Sequence, residues 1–136
     1  MRVFLDTNVL ASALGTRGLC AEIFEAVIDD HILLTSEAVL VELERAAAGK
    51  FRLPRSTINA YLQLLKQQAQ VITAADAPSR EISDPVDGAI VACAVAANTD
   101  VFVTGDKALL DIGDVGGMPI KSPREFWMML AGLQGG

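Results

Sequence analysis

Short apolar runs of strand length alternate with helical patterns along this chain, and that alternation restricts the fold more than any other feature. Val3–Leu5 is the first run, and after a loop over 15–18, residues 21–30 place Ile23, Phe24, Val27 and Ile28 at helical spacing. Residues 32–35 read as a second strand; Ser36 caps a helix over 37–48, and Gly49 ends it. Pro54 leads into a helix over 55–70 with Ile58, Leu62 and Leu65 on one face. A third strand over 70–73 and an irregular connection over 74–83 follow. Asp84-Pro85 opens a strongly apolar helix over 86–97, and residues 100–104 form the next strand. Residues 105–111 turn into a short helix, 113–117 are a loop, and 118–121 are a last short strand. Ser122-Pro123-Arg124-Glu125 combines a capping box with proline at the first helical position and starts a helix to Leu133. The pattern predicts an α/β/α arrangement with a central, mainly parallel sheet. The length of 136 residues and the 51% apolar content suit one domain over 1–136 with a generous core.

In parallel α/β sheets, ligands bind outside the carboxyl ends of the strands. Asp6 stands at the carboxyl end of the first strand, and Asp106 follows the carboxyl end of Val101–Val103. A carboxylate in such a place costs free energy unless it is paired or holds a ligand. Asp6 can also be the N-cap of a helix beginning near Asn8, and Asn8 an ordinary helix-start residue. Glu42 borders the apolar stripe of Val39, Leu40, Leu43, Ala46 and Ala47, as a rim acid or as half of a surface ion pair. Asp84 and Asp87 frame the start of the apolar helix, where acids favour the helix dipole. That explanation suits Asp84 better than Asp87, which apolar sequence follows and which is expected to be buried between layers. Asp106, in Thr104-Gly105-Asp106-Lys107, can be an ordinary turn residue, and Lys107 can pair with it or face a phosphate.

Carboxylates crowded on one rim stay ionised together only if a cation neutralises them; otherwise their pKa values rise. Oxygen donors alone suit hard divalent ions, Mg²⁺ or Mn²⁺, and such a site points to phosphoryl chemistry. His31 is the only histidine and there is no CxxC, which excludes serine–histidine triads and most zinc sites. Cys20 and Cys93 read as buried thiols of a reducing compartment. Aromatic residues make up 5%, against a base-stacking sheet of the RRM or OB type. The longest apolar run, over 89–97, is too short to span a bilayer, and Arg2 leads directly into a strand; a cytoplasmic protein without a membrane partner is expected. The net charge of −6 is unevenly spread. Arg45, Lys50, Arg52, Arg55, Lys66 and Arg80 face one acid, Asp76, in their part of the chain, as a basic rim beside an acidic centre or as a solvated helical face.

The segments FLDTNVLASAL, LLTSEAVLVELERA, SDPVDGAIVACAVAANTDVFVTGDKALL and IKSPREF occur in an order that resembles the PIN domain over nearly the whole chain. Within that family the chain looks like the VapC-like toxin component of a prokaryotic toxin–antitoxin pair. The resemblance implies that Asp6, Glu42, Asp87 and Asp106 bind Mg²⁺ or Mn²⁺, with Asn8 and Thr104 ordering the site and Asp84 contributing from outside it. It implies an endoribonuclease that hydrolyses single-stranded RNA to 5′-phosphate and 3′-hydroxyl ends, with Arg45, Lys50, Arg52 and Arg55 guiding the backbone. It further implies a homodimer and a small antitoxin whose inserted segment places an arginine or lysine among the acids. One departure is visible: Val86 stands where close relatives often carry another acid. A haloacid-dehalogenase-like phosphatase is the competing enzyme, although such enzymes use Asp-x-Asp and this chain has Asp6-Thr7-Asn8. A binding module that keeps the fold without catalysis is the third reading.

Overall fold

The computed structural model describes residues 1–73 and 82–135. Its organising strand is the first, β1 (Arg2–Leu5), which is buried on both faces as central parallel strands are. It pairs in parallel with β2 (Ile32–Ser36) on one side, and β2 pairs in parallel with β3 (Gln70–Ile72). On its other side β1 pairs in parallel with β4 (Val101–Val103). Two short strands, β5 (Asp114–Val115) and β6 (Met118–Lys121), complete a six-stranded sheet of order β3-β2-β1-β4-β6-β5. Only the β5–β6 pair is antiparallel. The register sets Phe4 beside Phe102, and their rings stack with centroids 5.1 Å apart.

Helices flank the sheet. They are α1 (Thr7–Gly15), α2 (Leu19–Asp30), α3 (Glu37–Gly49), α4 (Arg55–Gln68), α5 (Pro85–Ala96), α6 (Lys107–Ile112) and α7 (Pro123–Gly135). The predicted caps form: Ser36 accepts the Val39 N–H, and Ser122 and Glu125 exchange bonds across the first turn of α7. The helix expected over 55–70 ends at Gln68, because Gln70 already pairs with β2. The loop expected over 113–117 contains β5, turned back onto β6 through Gly116 and Gly117, both at positive φ. Most of the connection expected over 74–83, with Asp76 and Arg80, lies outside the described residues. Cys93 is buried as expected, whereas Cys20 is only half-buried. Among the described residues no helix is long and apolar enough to cross a membrane.

Candidate active site

β1 hands its last backbone position to the rim: the Asp6 N–H donates to the Val103 carbonyl at 2.9 Å, extending the β1–β4 pairing by one bond. The Asp6 side chain is 6% exposed, and its two oxygens do different work. Oδ1 accepts the Thr7 N–H at 2.8 Å and caps α1, so the capping role holds. Oδ2 accepts the Thr104 hydroxyl at 2.8 Å. Thr104 Oγ1 also accepts the Asp106 N–H at 3.0 Å and the Asn8 amide at 3.3 Å, which uses the full capacity of a hydroxyl. Asn8 Oδ1 accepts the Gly105 N–H at 2.8 Å. Asp6, Asn8, Thr104 and Asp106 therefore form one latch across the ends of β1 and β4.

The other acids arrive from helices. Glu42, half-buried on α3, accepts the Thr7 hydroxyl at 3.2 Å. Asp84 caps α5 by accepting the N–H groups of Val86 and Asp87 at 2.8 and 3.2 Å. Asp87 follows in the first turn and is half-buried, not enclosed between layers as expected. The reason is its place on the first turn of α5, where it lines the open cleft and the adjoining groove. Asp106 caps α6 through the Ala108 N–H at 2.8 Å. Among the described residues the single ion pair is Arg55–Glu44, so Lys107 does not pair with Asp106.

Asp6, Glu42, Asp87 and Asp106 line one cleft of about 290 Å³ together with Thr7, Asn8, Ser12, Lys50 and Phe51. Thr7, Glu42 and Asp87 also line an adjoining groove of about 720 Å³, with Arg45, Asp84, Val41 and Val86. Val41 and Val86 are 57% and 53% exposed there. The cationic residues separate: Lys50 reaches the cleft and Arg45 the groove, whereas Arg52 and Arg55 line neither. Thr7, Ser12, Val41 and Phe51 are among the lining residues that sequence reasoning did not single out.

Burial pushes the Asp6 carboxyl up; bonds from Thr104 and the Thr7 amide oppose this, and Glu42 and Asp106 add to it. Asp87 is pushed up to about 6, first by partial burial and then by Asp84, Asp6 and Asp106. Among the described residues, no three acidic, histidine or cysteine side chains close around one point as ready metal ligands. What the cleft offers is an open, all-oxygen set in mutual repulsion, with Lys50 as the only cation among its described lining residues. That donor set fits a hard dication, which would draw both raised carboxyls back to the ionised form.

A family model described as the PIN domain matches residues 2–108. Two solved structures are similar in fold. One is the crystal structure of VapBC2 from Rickettsia felis bound to a DNA fragment from their promoter: TM-score 0.64, 16% identity, 90% of this chain and 98% of that chain covered. The other is PAE2754 from Pyrobaculum aerophilum: TM-score 0.65, 16% identity, 97% of this chain and 96% of that chain covered. No curated protein matches.

Proposed function

Because the chain belongs to the PIN domain family, we propose that it is a divalent-metal-dependent nuclease that hydrolyses single-stranded RNA, and the toxin of a toxin–antitoxin pair. The observation that carries this reading is the meeting of Asp6, Glu42, Asp87 and Asp106 on one cleft from four separate parts of the chain.

These four residues would hold Mg²⁺ or Mn²⁺, which supplies Lewis-acid stabilisation of the charge that builds on a phosphodiester. The chain's own residues do the positioning. Thr104 and Asn8 fix Asp6 relative to the loop that carries Asp106. Thr7 fixes Glu42, and Asp84 sets the first turn of α5 and with it Asp87. Lys50 and Arg45 meet the RNA backbone on either side of the acids. Hydrolysis leaves 5′-phosphate and 3′-hydroxyl ends.

The antitoxin follows from the same surface. The groove joins exposed Val41 and Val86 to Glu42 and Asp87, so it suits a segment with apolar side chains and one basic residue that takes the place of the dication. The fold likeness to the VapBC2 structure supports that partner. Met128 and Leu133, each 65% exposed on α7, offer an apolar surface for a second copy in a homodimer.

Purified protein should cleave single-stranded RNA in Mn²⁺, and Asp6→Asn or Asp87→Asn should abolish cleavage. Undiminished cleavage by both variants overturns the reading.

A further inference from the structure

We propose that Phe51 is a base-stacking platform at the edge of the acidic cleft, and that Lys50 beside it meets the phosphate of the stacked nucleotide. The proposal rests on the RNA-cleaving reading above and adds to it a reason for preferring unpaired strands.

Phe51 lies in the turn between α3 and α4. The Lys50 and Phe51 N–H groups both donate to the Ala46 carbonyl, at 2.9 and 3.2 Å, and the Leu53 N–H donates to Ala47 at 3.0 Å. Arg52 closes this turn in the left-handed region, at φ +48°, a conformation that strains a residue bearing a Cβ. The turn carries the Phe51 ring back over α1, where it rests on Gly15. A Cβ at position 15 would stand 2.5 Å from Cδ1 of the ring and 2.9 Å from Cε1, so only bare backbone admits the ring there. The ring remains half-buried, and it is the one aromatic group among the described residues lining the cleft with Asp6, Glu42, Asp87 and Asp106. Lys50 Nζ stands over the ring, 5.8 Å from its centroid, so a base takes that face as the ammonium turns aside to the phosphate.

The strained turn and the side-chain-free rest hold one ring beside four acids. A base stacked on an aromatic ring gains roughly 1–3 kcal/mol whatever its identity, because every base has a π-face. In a duplex those faces are covered by neighbouring bases, so the ring has nothing to stack on. Lys50 supplies the phosphate contact that an acidic cleft otherwise lacks.

The test compares two labelled oligomers of equal length, oligouridylate and an abasic ribose-phosphate chain, by fluorescence anisotropy in Ca²⁺ in place of Mn²⁺. Both carry the same phosphates. Wild type should bind the uridine oligomer about tenfold more tightly. Phe51→Leu should bring the ratio near one by weakening only the base-bearing oligomer, and Phe51→Tyr should restore it. Lys50→Gln should weaken both oligomers alike and lower the slope of log affinity against log salt by about 0.7. In Phe51→Trp the emission gained over Trp127 should be quenched by the uridine oligomer and not by the abasic one, which reads the contact even if the leucine variant folds poorly. A ratio near one in wild type, or a ratio that Phe51→Leu leaves intact, overturns the stacking while RNA cleavage in Mn²⁺ keeps the nuclease reading. Wild type that neither binds nor cleaves RNA overturns the nuclease reading and the stacking with it.

Discussion

The central strands have two ends, and the ends are built on opposite rules. At the amino-terminal edge Met1, Arg2 and Asp100 each meet a hydrogen-bonding partner within the chain. The Arg2 guanidinium donates twice to the Ala97 carbonyl, at 2.8 and 3.1 Å, and once to Gln70 at 3.0 Å. The Arg2 N–H donates to Asp100 at 2.7 Å, and the Met1 amino group donates to His31 Nδ1 at 3.0 Å. Burial, and then the Met1 ammonium, hold the His31 imidazole below its ordinary range. At the carboxyl-terminal edge, four strand residues away, Asp6 faces Asp106, Glu42 and Asp87, and Lys50 is the only cation lining the cleft among the described residues. One edge is closed by its own residues. The other is latched by neutral hydrogen bonds but holds like charges together, and its repulsion is relieved by a cation that comes from outside.

The comparison can be broken most decisively at Thr104. Thr104→Val removes the donor to Asp6 and the acceptor for the Asp106 and Asn8 N–H groups in one change. It should cost about 2–3 kcal/mol in urea unfolding and lower RNA cleavage about 10–100-fold, while Thr104→Ser recovers most of both. A silent Thr104→Val would show that the latch does not order the acids.

The opposite edge gives the next effect. Arg2→Met should cost about 1–2 kcal/mol of stability and leave cleavage per folded molecule unchanged. Lost cleavage at full stability would reverse the roles given to the two edges.

The smallest effect is a pH dependence. Asp87 has its carboxyl raised from 3.8 to about 6 in the folded protein, so the native state holds that proton more tightly than the unfolded chain does. Its contribution is fully present below pH 3.8 and is lost as pH rises through about 6. In EDTA, Asp87→Asn should therefore melt above wild type near neutral pH and level with it in acid, by scanning calorimetry. Mn²⁺ should raise the melting temperature of wild type more than that of the variant. A metal-free wild type that is the more stable of the two at neutral pH would remove repulsion from the account of this edge.

Local chemistry made much of this legible in the sequence. Ser36, the Ser122–Glu125 box and the Asp84-Pro85 start act within one helical turn, and each forms the cap its residues announce. Asp6 was readable both as a cap and as a rim acid, and its two oxygens divide those roles. The two-residue β5 is too short for periodicity to reveal, although Gly116-Gly117 between Val115 and Met118 is a hairpin signal that could have found it. Asp87 was misjudged because helix periodicity says nothing about which end of a helix meets the sheet rim. The place of Phe51 was not legible, since its ring depends on Gly15, far away in the sequence, and on the left-handed turn at Arg52.

The order in which the strands are made has a consequence for the cell that makes them. β1 leaves the ribosome well before its neighbour on the Thr104 side, β4, which lies some hundred residues further along the chain. Until then Asp6 has neither its hydroxyl partner nor Asp106, whatever has already folded around β1 and β2. Until the chain has been made through Asp106, the latch across the ends of β1 and β4 cannot close, so any chemistry that needs Asp6 and Asp106 together is barred by topology to a chain that stops short of that point.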